Sequence, residues 1–227
     1  MKLVLFDIDG TLLTDRGASR EAFGEALRAV YGYDDDLSRY DFSGRTDPQI
    51  AHMVLRDAGF AAEEIDARIT DLWELYLTGL ARNATPDRVR VMPGIRELVA
   101  ALHEHGDVAL ALLTGNIERG ARLKLGGALL NDYFAFGAFG SDSADRTDLP
   151  PVAVRRANEH LGRHFTGSDV VIIGDSIYDV RCGVPYDATT IAVASGKTPA
   201  DVLRAENPRY FFEDASDVQA VMDAILG

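Results

Sequence analysis

Leu3-Val4-Leu5-Phe6-Asp7-Ile8-Asp9-Gly10-Thr11 is the stretch from which the fold is read. The four apolar residues show no alternation, which is the pattern of a strand buried on both faces. In an open α/β sheet, ligands bind just beyond the carboxyl ends of such strands. Asp7 and Asp9 fall there, two residues apart, and point the same way if strand geometry persists. Gly10 allows a sharp turn and a close backbone approach to a ligand. Two like charges so near each other call for a cation or a proton between them. The stretch therefore predicts a hard, oxygen-liganded metal with an anionic substrate as its further partner.

Outward from this stretch, three more apolar runs recur at Val108–Leu113, Val170–Ile173 and Thr189–Val193, with helical periodicity between them. That rhythm predicts an α/β fold, a doubly wound parallel sheet. Residues 15–86 break it and read as entirely helical. Ser19 is expected to cap a helix ending before Gly32, and Asp47 to cap a second that opens with Pro48. Ile65, Ile69, Leu72, Trp73 and Tyr76 form a third apolar stripe. The expected organisation is a core of residues 1–14 and 87–227, with residues 15–86 inserted as a helical-bundle cap after the first strand.

The chain has 227 residues, a net charge of −13 and a single cysteine, Cys182. The acidic balance argues against nucleic acid and anionic membranes as partners. It leaves room for a small anionic substrate, because one local cation can dominate a site. One cysteine excludes an intrachain disulfide and suits a reducing compartment. No run approaches the ~20 apolar residues of a membrane span, and the N-terminus carries no signal-peptide pattern. A cytoplasmic location is the expectation; the oligomeric state is open.

Three later segments end strands as Asp7 does. Thr114-Gly115-Asn116 offers a hydroxyl and backbone N–H groups at a helix start, a cradle for phosphate. Gly174-Asp175-Ser176 is followed by Asp179, an (i, i+4) acidic pair able to face one way. Arg146, in Asp145-Arg146-Thr147-Asp148, is the expected cation that clamps a phosphoryl oxygen and holds Asp7. Lys124 is its rival, on a helix where an exposed role is expected. Ser195-Gly196-Lys197-Thr198 ends like a nucleotide-binding loop, but the glycine required five residues before Gly196 is Ile191.

Taken in order, Asp-x-Asp-Gly-Thr, Thr-Gly-Asn and Gly-Asp-Ser-x-x-x-Asp resemble the haloacid dehalogenase-like superfamily. Gly44-Arg45-Thr46-Asp47 and Pro93-Gly94 point to its phosphoglycolate phosphatase-type branch. The resemblance covers essentially the whole chain. It implies a Mg²⁺-dependent phosphatase acting on a small phosphorylated metabolite through an aspartyl-phosphate. It implies Asp7 as nucleophile and metal ligand, and Asp9 as general acid and base whose backbone carbonyl also binds the metal. Thr114 and Arg146 complete the catalytic set. Asp175 is the third metal ligand, with Asp179 in the metal group as its support. Thr11, Gly115, Asn116 and the cap residue Arg45 are the expected substrate contacts. The family usually carries lysine where Arg146 stands; arginine keeps the charge but not the geometry. The competing readings are a phosphosugar mutase of the same superfamily, an aspartyl-phosphate receiver-like signalling domain and a catalytically silent binding protein.

Overall fold

The computed structural model describes residues 1–227. The first strand, β1 (Lys2–Phe6), is followed by β2 (Leu13–Thr14) and three helices, α1 (Ala18–Tyr31), α2 (Asp47–Asp57) and α3 (Ala62–Asn83). The chain returns through β3 (Arg90–Val91), α4 (Ile95–Glu104), β4 (Val108–Leu113), α5 (Glu118–Ala128) and β5 (Gly137–Ala138). It ends with α6 (Leu149–Leu161), β6 (Val170–Gly174), α7 (Ile177–Gly183), β7 (Thr189–Val193), α8 (Ala200–Ala205), β8 (Tyr210–Phe212) and α9 (Val218–Leu226).

Six strands form one parallel sheet in the order β5-β4-β1-β6-β7-β8, as expected of a doubly wound core. β1 is central, with β4 on one side and β6 on the other. Strand order therefore reverses at β1, which opens a crevice beyond its carboxyl end. The register pairs Phe6 with both Leu112 and Ile173. Asp7, Thr114 and Asp175 consequently emerge side by side at one edge of the sheet. The Asp7 N–H still donates to the Ile173 carbonyl at 3.0 Å, so strand geometry continues into the motif.

Alternate residues of β1 serve the two faces. Leu3 and Leu5 pack toward α6 with Ala153, Val154 and Ala157. Val4 and Phe6 pack toward α4 and α9 with Leu98, Leu102, Val221 and Ile225. Cys182 is buried in the first of these layers, a packed core thiol. β5 and β8 are strands that the sequence pattern does not announce, being two and three residues long.

β2 and β3 pair antiparallel, Leu13 with Val91, forming the ribbon through which the chain leaves and re-enters the sheet domain. Between them α1, α2 and α3 build their own core from Leu27, Val54, Leu55, Ile65, Leu72 and Leu80. Trp73 packs against that cluster. Two helix starts differ from expectation. α1 begins one residue before Ser19, and Ser19 instead lends its N–H and hydroxyl to the Asp15 carboxylate. α2 is capped by Thr46, in a reciprocal box with Gln49, rather than by Asp47. That box frees the Asp47 carboxylate for another partner.

Candidate active site

The loop after β1 turns at Gly10, whose φ of 90° lies in the left-handed region. A Cβ there would also collide with the Asp175 carboxylate. Glycine is thus required twice over, and it brings the β1 and β6 loops into contact.

Asp7, Asp175 and Asp179 are all buried, and each offers an oxygen within 4.8 Å of the others. The single cation among them is Arg146. Its Nη2 donates to Asp7 Oδ1 at 2.9 Å and also to Asp179 Oδ1; its Nη1 donates to the Gly44 carbonyl at 3.1 Å. Burial would lower the basicity of this guanidinium, but the charges of Asp179 and Asp7 more than reverse that. Burial raises the Asp7 carboxyl, with Arg146 opposing. Asp175 is raised well above its ordinary value by burial and by the charges of Asp7 and Asp179.

Three buried carboxylates around one arginine leave negative charge uncompensated. Asp7 Oδ2 and Asp175 Oδ2 accept no hydrogen bond, and Asp175 Oδ1 takes only the Thr11 hydroxyl at 3.1 Å. A hard divalent cation with oxygen ligands fits such a donor set. Asp179 stands differently: Oδ1 is engaged by Arg146, and Oδ2 by the Ser176 N–H at 2.9 Å and hydroxyl at 2.6 Å. It holds Arg146 and the β6 loop in place rather than offering a free oxygen. Thr11 also departs from its expected place as a substrate contact. The turn at Gly10 directs its hydroxyl back to Asp175, and it does not line the cavity.

Lys124 overturns the expectation of an exposed role. Its side chain is 3% exposed. Nζ donates to Asp9 Oδ1 at 2.9 Å, to Asp9 Oδ2 at 2.7 Å and to Asn116 Oδ1 at 2.7 Å. Burial alone would lower an ammonium's pKa; the charges of Asp9, Asp15 and Asp47 reverse this and raise it. Asn116 Nδ2 in turn donates to Asp9 Oδ2 at 2.7 Å and to Thr114 Oγ1 at 2.9 Å. The chain thus uses two cations on two carboxylates: Arg146 on Asp7, and Lys124 on Asp9. Lys124 lies ten residues past Thr114, within a helix, where no short-range spacing marks it.

These groups open onto one cavity of about 360 Å³, lined by Asp7, Asp9, Thr114, Gly115, Arg146 and Asp175 from the sheet domain. The helices between β2 and β3 close it from the other side. Arg45 lines this cavity too, its Nε bonded to the Asp41 carbonyl at 3.2 Å and its guanidinium 5.6 Å from the Tyr178 ring. The seam is stitched by Asp47 N–H to Gly115 O at 2.7 Å, Ile117 N–H to Asp47 Oδ2 at 2.8 Å and Thr46 Oγ1 to Ala144 O at 2.8 Å. Gly196, in the segment resembling a nucleotide loop, presses on Asp175 so closely that a Cβ would overlap it, and Ser195 donates to Gly10 O at 2.7 Å.

The profile of the family described as haloacid dehalogenase-like hydrolase matches residues 1–184. A phosphoglycolate phosphatase of Rhodobacter capsulatus is 29% identical over 210 residues, 88% of either chain. A 5'-nucleotidase of Pseudomonas aeruginosa is 27% identical over 97% of this chain and 95% of its own. Among solved structures, a hydrolase from Pseudomonas syringae superposes with a TM-score of 0.75 at 21% identity, over 99% of both chains, a likeness of fold.

Proposed function

The chain belongs to the haloacid dehalogenase-like hydrolases and is a hydrolase of phosphoric monoesters; from that premise we propose that it is a Mg²⁺-dependent phosphatase that cleaves a small phosphorylated metabolite through an aspartyl-phosphate on Asp7. The observation that carries this reading is the pair of free carboxylate oxygens on Asp7 and Asp175, buried beside a single arginine.

Asp7 attacks phosphorus through one carboxylate oxygen and would keep the other for the metal, while Arg146 donates to Oδ1 and fixes the side chain. Splitting the hydrolysis into phosphorylation and dephosphorylation of Asp7 replaces one hard step by two easier ones. Asp7, Asp175 and the Asp9 carbonyl would hold the Mg²⁺, which when bound offsets the repulsion between the anionic nucleophile and a phosphate dianion. Asp9 gives a proton to the departing oxygen and then takes one from water. Burial raises its carboxyl, the direction a proton donor needs, with Lys124 opposing. Lys124 and Asn116 orient Asp9 from two sides. The Thr114 hydroxyl and the Gly115 N–H, which has no partner in the chain, receive phosphoryl oxygens as charge shifts. Residues 15–86 act as a cap that excludes water and meets the leaving group, with Arg45 at the entrance.

Phosphate release from a panel of phosphorylated metabolites, with and without Mg²⁺, tests the reading. Mg²⁺-dependent release that disappears in Asp7→Asn is expected. Substantial Mg²⁺-dependent turnover by that variant would refute Asp7 as nucleophile. Isomerised phosphate ester without free phosphate would favour a mutase, and a long-lived aspartyl-phosphate without turnover a signalling domain.

A further inference from the structure

The part of the cavity beyond Asp9 is built from the inserted segment, by Asp15 of the turn before α1 and by Phe23, Asp47, Ile50 and Tyr76 of its helices. Its charge is unbalanced. Three carboxylates, Asp9, Asp15 and Asp47, surround one ammonium, Lys124, whose three donors are taken by Asp9 and Asn116. Asp15 is saturated by the Gly17 N–H at 3.0 Å and by the N–H and hydroxyl of Ser19. Asp47 is not. Its Oδ2 accepts from Ile117, but its Oδ1 accepts from nothing, and it forms no ion pair. None of the remaining cations of the lining is among the charges acting on Asp47. Arg20 donates to the Leu37 and Tyr40 carbonyls and lies 3.9 Å from the Phe42 ring. Arg45 and Lys197 sit by Asp41.

We propose that Asp47 selects the leaving group, accepting a hydrogen bond at Oδ1 from a hydroxyl or ammonium and excluding a leaving group that ends in a carboxylate. The inference rests on the phosphatase reading above and gives it a substrate class: phosphate monoesters of polyols, sugars or amino alcohols. Asp47 is half-buried and its Oδ1 faces solvent in the free protein; a ligand that covers it without donating to it leaves the acceptor empty, and an uncompensated negative charge repels another. The aromatic walls of Phe23 and Tyr76, with Ile50, suit the carbon face of such a leaving group. The Tyr76 hydroxyl stays protonated, raised by burial and by the Asp47 charge, and supplies a second neutral polar group. Burial holds the Asp47 carboxyl up at about 6, so it is ionised at neutral pH and gains from a donor ligand. The cavity size, near the lower end for small-molecule sites, fits a single small metabolite.

The experiment compares kcat/KM for glycerol phosphate, ribose phosphate, phosphoethanolamine, phosphoglycolate and p-nitrophenyl phosphate in the wild type and in Asp47→Asn, with Mg²⁺. At least one donor-bearing ester should exceed phosphoglycolate tenfold or more. Asp47→Asn should shrink that ratio about tenfold, relative to p-nitrophenyl phosphate in the same protein. An amide oxygen still accepts from a hydroxyl but no longer neutralises an ammonium, so a larger loss on phosphoethanolamine than on glycerol phosphate identifies an amine and equal losses a polyol. Phosphoglycolate as the best substrate, or a ratio changed less than twofold by Asp47→Asn, overturns the inference. The same esters are titrated calorimetrically into Asp7→Asn protein. If wild type releases no phosphate from any ester, the phosphatase reading falls, and binding decides the inference separately. A donor-over-carboxylate preference that depends on Asp47 upholds it; its absence overturns it.

Discussion

Lys124 Nζ grips both oxygens of Asp9, at 2.9 and 2.7 Å, from a helix of the sheet domain, yet the charges that keep it protonated include Asp47 of the inserted helices. The Asp9 side chain is 43% exposed and that of Lys124 only 3%. Replacing Lys124 by Met should therefore misplace Asp9 more than unfold the protein. A stability loss of about 1–3 kcal/mol by urea unfolding is expected, with kcat falling at least tenfold and KM changing little. Unchanged kcat would show that Asp9 needs no such anchor.

Arg146 is the only positive charge among Asp7, Asp175 and Asp179. Arg146→Met leaves those acids buried without a cation. A loss of ~3–5 kcal/mol is expected near neutral pH, the cost of breaking a buried pair. The loss should shrink as pH falls, because protonated carboxyls need no partner. Urea unfolding at acidic and neutral pH, in chelator, reads both values.

The same uncompensated charge predicts a response to metal. Mg²⁺ at one hundred times its Kd should stabilise the wild type by ~2.7 kcal/mol. Asp175→Asn should abolish the gain. Gly196→Ala should weaken it sharply while leaving the sheet intact, because a methyl there occupies the place of the Asp175 carboxylate. Thermal unfolding with and without Mg²⁺ measures each.

Asp47 predicts a pH dependence of opposite sense to an ordinary salt-bridged acid. Its folded carboxyl titrates near 6, above the ordinary 3.8, because burial outweighs the attraction of Lys124 and Asp9 repels it. The folded state then binds the proton more tightly than the unfolded chain. Stability is retained below 3.8 and declines as pH rises through about 6. Asp47→Asn removes the penalty. The variant should match the wild type at pH near 4 and exceed it by ~1–3 kcal/mol at neutral pH, at 1.36 kcal/mol per pKa unit. A difference independent of pH would contradict this.

The parallel sheet and the inserted helices were legible in the sequence because buried strands and amphipathic helices leave strong local periodicity. The hydrolase class was legible because its aspartates follow strand ends at short spacing, as Asp7 follows Phe6. Lys124 was not, since its importance comes from the rotation of α5 toward Asp9, a long-range relation. Asp-Pro is a cap signature and marks Asp47 as a helix cap, but Thr46 wins that position through its box with Gln49. The position of Thr11 directly after Gly10 suggests a ligand contact, and only the turn at Gly10 shows its hydroxyl facing Asp175. Gly196 fits no nucleotide-loop motif, and its role is to leave space beside Asp175.

Gly115 is used on one side only: its carbonyl receives the Asp47 N–H across the seam, and its N–H has no partner in the chain. The segment that would seat phosphate is thus also the latch of the door. Any parting of the two halves at this seam has to break a bond made by the residue whose N–H is proposed to receive phosphate.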